Sequence, residues 1–223
     1  TGLIGPNGAG KTTLFNVITG FLRKDRGQVW LEEEEVSDLP PHKIALKGMV
    51  RTFQTAAGFM HMTVMENMMI APQNQEGEKL WRTLFPGQIV RTQEKESKER
   101  AIEIINFLGL YEKRNEYVEN LSSAETKLLE IGRQLLTGAK LILLDEPMSG
   151  VSPAFQKKMI EYINNIREQR GLTFFIIEHN LGFIREVSDT IYVMNNGQIL
   201  SYGTWEDITR DERVIEAYLG GKR

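Results

Sequence analysis

The sequence contains no cysteine. A disulfide framework and any thiolate metal site are therefore excluded, and the absence fits a reducing compartment. Histidine is scarce too. The three, His42, His61 and His179, are scattered too widely to form a ligand cluster. No apolar run approaches the roughly 18 residues that a membrane-spanning helix needs. Charge of one sign is also lacking: the net value of −3 gives no reason to expect nucleic acid or an anionic membrane as the main partner. There is no internal repeat and no low-complexity tract. What remains is a 223-residue chain, 41% hydrophobic and 26% charged. That is an ordinary globular composition, long enough for one large domain or for a core with a subdomain.

The most informative stretch lies almost at the start. Gly5-Pro6-Asn7-Gly8-Ala9-Gly10-Lys11-Thr12, followed by Thr13, reads as G-x-x-x-x-G-K-T, a phosphate-binding loop. Nucleotide phosphates need several backbone N–H donors aimed at one point, and glycine lets the loop wrap that closely. Lys11 can reach the β- and γ-phosphates, and the Thr12 hydroxyl can ligate Mg²⁺. The helix expected from Thr13 to Thr19 turns its positive N-terminal end toward the anion. A strand must feed such a loop. Only Leu3-Ile4 of one stands before it, so further N-terminal strands are expected upstream of Thr1.

Further along, Gly27–Leu31 and Met49–Gln54 read as strands, with a short helix between them ended by Gly48. The acidic run Glu32–Glu35 reads as a solvated strand end or loop. From 59 to 137 helical signals dominate. Thr63 and Glu66 make a capping box, residues 72–100 look like an irregular connection with short helices, and Glu99–Leu108 is amphipathic. After Lys140 an alternating αβ pattern returns. Leu141–Leu144 and Thr173–Ile177 are short apolar runs of the kind that fill strands buried on both faces. A helix opened by Ser152-Pro153 lies between them. Asn196-Gly197 marks a hairpin, Thr204-x-x-Asp207 is a further capping box, and the chain ends in a short helix through Ala217-Tyr218-Leu219. The expected fold class is α/β: a mostly parallel sheet with helices on both faces, a small antiparallel β part within 27–54, and an inserted helical subdomain. The expected division is 1–58 with 138–223 for the core, and 59–137 for the insertion.

Three strand ends carry chemistry. Asp145-Glu146-Pro147 follows the apolar strand 141–144, and carboxylates there sit at the sheet edge where αβ folds bind ligands. Asp145 is placed to hold Mg²⁺ directly or through water. Glu146 would face the γ-phosphate and polarise an attacking water. His179 follows the strand 173–177 in the same way and can reach the γ-phosphate. Gln54 ends its own strand, and its amide could meet the metal or the water. Leu121-Ser122-Ser123-Ala124-Glu125 opens another helix, and the capping box Ser122-x-x-Glu125 would by itself explain both residues.

In this order the set resembles the ATP-binding-cassette (ABC) ATPase family: the phosphate loop at 5–12, Gln54 as Q-loop, 121–125 as signature, 141–146 as Walker B and His179 as switch histidine. The resemblance spans essentially the whole chain. It implies ATP and Mg²⁺ as cofactors, with Lys11, Gln54, Glu146 and His179 catalytic and Thr12, Gln54 and Asp145 on the metal. It also implies sites that form only between two cassettes, Ser122, Ser123 and Ala124 being lent in trans to the partner's ATP. Ser149–Ser152 would be the D-loop that crosses the interface. Arg51-Thr52-Phe53-Gln54, Met62–Asn67, Glu178-His179-Asn180 and the ending Val214–Gly220 are similar to the cassettes of branched-chain amino acid importers and their urea and amide relatives. That resemblance implies a peripheral subunit on the cytoplasmic face of the cell membrane. Its partners would be a second cassette (a different subunit, or a second copy), integral membrane permease subunits and, indirectly, a substrate-binding protein, with no nucleic acid. The Met-rich segment 60–69 would be core packing or the groove that receives the membrane subunit.

The signature departs from the family's usual Leu-Ser-Gly-Gly-Gln at Ser123, Ala124 and Glu125. Ala124 adds a methyl where backbone approaches phosphate most closely, and Glu125 brings negative charge near an anion. This leaves two alternatives to transport: an ABC protein that senses nucleotide with weak hydrolysis, or a non-transport ABC ATPase. No Asn-Lys-x-Asp segment that reads guanine is present.

Overall fold

The computed structural model describes residues 1–52, 59–72 and 88–219. The chain divides into two compact units, Thr1–Gln54 with Lys140–Arg223, and Thr55–Ala139.

The first unit is built on a six-stranded sheet. In chain order its elements are β1 (Gly2–Ile4), α1 (Lys11–Ile18), β2 (Trp30–Leu31), β3 (Glu34–Glu35), α2 (Pro41–Leu46) and β4 (Met49–Arg51). Beyond the second unit come β5 (Leu141–Asp145), a helix Pro153–Arg170, β6 (Thr173–Ile177), a helix Leu181–Val187, β7 (Ile191–Asn195), β8 (Gln198–Gly203) and helices Trp205–Arg210 and Glu212–Leu219. The strand order is β4-β5-β6-β1-β7-β8. All pairings are parallel except β7 with β8, which the Asn196-Gly197 turn joins antiparallel. The central strands are buried on both faces, which is why they read as unbroken apolar runs. Leu3, Phe15, Ile44, Leu143, Ile177 and Met194 meet in one core, where α1 packs on the sheet.

β2 and β3 form a separate antiparallel pair. The acidic run is thus partly strand: Glu32 takes a left-handed turn (φ 55°), and Glu34 and Glu35 pair back onto Leu31 and Trp30. Their side chains stay in water, and Glu32 and Glu34 reach Lys140 and Lys47.

The second unit contains α3 (Val64–Met69), α4 (Gln88–Phe107) and α5 (Ser123–Leu136), with two single 3₁₀ turns between the last two. α4 begins at Gln88, well before the expected Glu99. Residues 88–100 hold no glycine or proline and are rich in Gln, Glu, Lys and Arg, good helix formers, and Lys95 meets Glu99 one turn on. Their polarity hid the helix because Val90 is the one side chain buried before Ala101. The three helices pack on Met68, Ile104, Ile105, Leu108, Leu129 and Ile131. Gly132 permits the closest approach, since a Cβ there would lie 2.7 Å from Leu108 Cδ1. The methionines divide: Met68 is core, whereas Met60, beside Phe59, is exposed.

Candidate functional site

β1, β5 and β6 lie side by side with their carboxyl ends on one edge, and Leu3, Ile177 and Asp145 stand in register across them. The phosphate loop leaves β1, Glu146 follows β5, and Glu178-His179-Asn180 follows β6. Topology alone therefore gathers the predicted groups of the first unit.

The loop folds tightly against the sheet. Gly5 has φ 152°, and a Cβ there would lie 2.1 Å from the Met194 carbonyl oxygen, so no other residue fits. The hairpin turn braces the loop from beyond, Gly197 N–H donating to Ala9 O at 2.9 Å. Gly10, in the left-handed region, starts α1. Lys11 is its first residue and is buried, and its ammonium donates to Gly5 O at 2.8 Å and Pro6 O at 3.1 Å. Burial holds the Lys11 pKa below its ordinary value, while the charges of Glu146 and Asp145 pull the other way. Lys11 thus lies within the field of both carboxylates. Thr12 and Thr13 are exposed in the same turn.

Asp145 is buried, and its two oxygens differ. Oδ2 accepts from Arg51 Nη2 at 2.7 Å, and the same guanidinium donates to Asn16 Oδ1 at 2.6 Å. Oδ1 is buried with no hydrogen-bond partner among the described residues. A carboxylate oxygen left in that condition is costly unless something fills it. Magnesium takes hydroxyl and carboxylate oxygens, so Asp145 Oδ1 and the Thr12 hydroxyl fit such an ion.

Glu146 takes φ 50°, unusual for a side chain other than glycine or asparagine and characteristic of strained functional positions. Its N–H donates to Ile177 O at 2.9 Å, tying the bend to β6. Its carboxylate Oε1 lies 3.2 Å from His179 Nε2, both side chains being partly exposed. The structure thus brings Lys11, Asp145, Glu146 and His179 together. Gln54 lies outside the described residues. Ser122, Ser123 and Ala124 belong to the second unit. There Ser122 caps α5: its hydroxyl accepts from Glu125 N–H at 3.3 Å and donates to Glu125 Oε2 at 2.8 Å. Lys113 pairs with the same Glu125 carboxylate at 3.0 Å. Burial pushes the Glu125 carboxyl up, but Ser122 and Lys113 outweigh it and hold the pKa below the ordinary carboxylate range. The negative charge expected to oppose a phosphate is therefore already engaged.

A family profile described as ABC transporter matches residues 1–149. The chain belongs to the ABC transporter family. This cassette is 40% identical over 220 residues to a probable branched-chain amino acid transport ATP-binding protein LivG of Archaeoglobus fulgidus, covering 99% of this chain and 84% of that protein. It is 39% identical over 218 residues to the high-affinity LivG of Escherichia coli K12, covering 98% and 86%. Among solved structures, the ADP conformation of MJ1267, an ATP-binding cassette of an ABC transporter, aligns with a TM-score of 0.82 at 39% identity, over 99% of this chain and 87% of that one. The cassette has the P-loop NTPase fold of an ABC ATPase.

Three groups at the cassette's site carry no role that the sequence assigns. Arg51 stands in the stretch Arg51–Gln54, but nothing there pairs it with Asp145, which lies 94 positions away. Glu178 stands beside His179 without a task of its own. Tyr218 lies in the C-terminal stretch; burial pushes its phenol up to about 12, while a hydrogen bond with the Gly5 backbone acts against it. The one sequence signal for Glu178 is an acid directly after the apolar run 173–177, and its burial emerges only from the fold.

Proposed function

We propose that this chain is the ATP-hydrolysing subunit of an importer for branched-chain amino acids or a related small polar solute. The observation that carries the reading is the Glu146–His179 contact of 3.2 Å beside a complete phosphate loop. The relatives' names support the solute class.

In this reading, backbone N–H groups of Gly8, Ala9, Gly10 and Lys11 cradle the phosphates, and the N-terminus of α1 faces them. The Lys11 ammonium exchanges its loop carbonyls for β- and γ-phosphate oxygens. Thr12 and Asp145 Oδ1 would hold Mg²⁺, which when bound would offset charge on the phosphate oxygens, and Gln54, outside the described residues, would serve the metal or the water. Glu146 orients the water and takes up its proton as the water oxygen attacks the γ-phosphorus, while the bond from that phosphorus to the β–γ bridging oxygen breaks and ADP leaves. His179, whose Nε2 lies 3.2 Å from Glu146 Oε1, turns to the γ-phosphate. A second cassette supplies its signature to this site and receives Ser122, Ser123 and Ala124 in return; it is a different subunit, so that the stronger site is the one at Lys11 and Glu146. The cassette sits peripherally at the cytoplasmic membrane face. Phe59 and Met60, both exposed, lie at the groove for a permease subunit, and a substrate-binding protein serves the assembly from outside.

Glu146→Gln is expected to lower Mg-ATP turnover of the assembled transporter by about two orders of magnitude or more. Survival of turnover, with the partner's own glutamate proving essential, would reverse the assignment of the strong site. The substitutions at Ser123 and Ala124 favour a second reading, nucleotide sensing with weak hydrolysis. Turnover close to background in the complete assembly would select it.

A further inference from the structure

Glu178 is 3% exposed, a carboxylate in the interior of the first unit. Its Oε1 accepts from Met148 N–H at 2.6 Å. Its Oε2 accepts from His179 N–H at 2.8 Å and from Asn180 N–H at 3.1 Å. All three partners are donors, so the group serves here as an acceptor-only carboxylate, and bonds of this kind are about twice as strong as neutral ones. The two oxygens hold different segments. One holds the chain just after Glu146, where it turns toward Ser149–Ser152. The other holds the chain at His179.

A second tie runs beside the first. Asn180 Oδ1 accepts from Phe183 N–H at 3.1 Å and caps the helix Leu181–Val187. Its amide donates to Gln156 Oε1 at 3.0 Å, on the helix that follows Ser152. With the Glu146 N–H bond to Ile177 O, the segment leaving β5 is therefore fastened to β6 and to the segment leaving it at three points. Between them stand Glu146, in its left-handed conformation, and His179. A strained backbone of that kind persists only where its surroundings over-determine it, and the Glu178 clamp lies two residues away.

We infer that Glu178 is a positioning residue, its buried carboxylate fastening the Glu146 and His179 segments into one body so that both side chains meet the γ-phosphate in register. The inference rests on the reading of Glu146 as the group that activates water. A displacement of about 1 Å at such a group can change rate a hundredfold without changing ground-state binding. Glutamine cannot replace the carboxylate, because its NH₂ would face either Met148 N–H or the His179–Asn180 pair.

The test is steady-state Mg-ATP turnover of the full-length protein in its transporter, together with amide exchange on the full-length protein. Glu178→Gln is expected to lower kcat at least tenfold and leave KM for ATP within twofold. Exchange at Met148, His179 and Asn180 should quicken at least tenfold while β5 and β6 stay protected. Glu178→Asp, which keeps both acceptor oxygens on a shorter stem, should recover part of kcat. An unchanged kcat, or kcat and KM moving together, overturns the inference. If Glu178→Gln does not fold, Glu178→Asp decides on the same terms: lower kcat at constant KM supports the clamp, and wild-type kcat with wild-type exchange overturns it. Glu146→Gln, run alongside, separates the two ideas. Persisting turnover there defeats the water-activating reading, while the exchange data still judge the clamp.

Discussion

Asp145 joins the fold to the chemistry through two oxygens with different tasks. Oδ2 is neutralised by Arg51, in an ion pair whose side chains are 5% and 1% exposed. Arg51 also holds Asn16, so one guanidinium links β4, α1 and β5. Oδ1 has no hydrogen-bond partner among the described residues and is the oxygen proposed to hold the metal. Taking two charges out of water is costly, and removing one partner strands the other. Arg51→Met is therefore expected to destabilise the protein by about 3–5 kcal/mol, read from urea unfolding. Adding Asp145→Asn to that variant should recover much of the loss, because the stranded charge disappears. If the single and double variants were equally unstable, the damage would come from lost packing of the arginine stem over Phe15, whose ring centroid lies 5.5 Å from the guanidinium carbon. Arg51 shows why part of the site was illegible in the sequence. Motif spacing identifies residues that touch a ligand, whereas a partner brought across by strand pairing leaves no local pattern. Lys11, Thr12, Asp145, Glu146 and His179 each stand at a helix start, at a strand end or just beyond one, with its own spelling. Arg51 and Glu178 are understood only once β4, β5 and β6 are aligned.

Elements were legible in proportion to the regularity of their burial. β5 and β6 are buried on both faces and wrote themselves as apolar runs, and the hairpin at Asn196-Gly197 wrote itself as a turn, with φ 47° and 77°. α4 was half hidden, since Val90 is its one buried side chain before Ala101. α5 is the case where local structure and function compete for the same atoms. Its Ser122–Glu125 capping box satisfies two backbone donors at the N-terminus. Ser122→Ala should destabilise the second unit by about 1 kcal/mol at neutral pH, measured by amide exchange along α5. The folded pKa of Glu125 lies below its ordinary value. Its contribution is therefore fully present above the unfolded carboxylate range and is lost as pH falls through the folded value. The difference between wild type and Ser122→Ala should accordingly shrink in acid. A difference that stayed constant down to full protonation would mean that the carboxylate contributes nothing to the cap.

At the scale of the whole molecule, a signature shared in the way proposed would set the stability of one chain against the activity of two. Ser123 and Ala124 occupy the first turn of α5, where backbone N–H groups have no intrahelical partner and can face an anion. In the proposed composite site each side chain would hold a partner's phosphate further from that backbone than glycine would. Each also favours the helix, where glycine costs up to about 1 kcal/mol relative to alanine. Replacing both, Ser123→Gly with Ala124→Gly, is therefore expected to move two measurements in opposite directions. Thermal unfolding should shift down, by an amount matching the added backbone entropy. Mg-ATP turnover at the composite site completed by this signature should rise. That site uses the partner's phosphate loop, so the gain should persist in a Glu146→Gln background and vanish when the partner's own catalytic glutamate is replaced. A gain that depends instead on Glu146 would mean that the partner is a second copy of this chain, whose phosphate loop and Glu146 receive this signature. No gain in either background would mean that the native serine and alanine already allow phosphate to approach, and the proposed asymmetry would have to come from the partner.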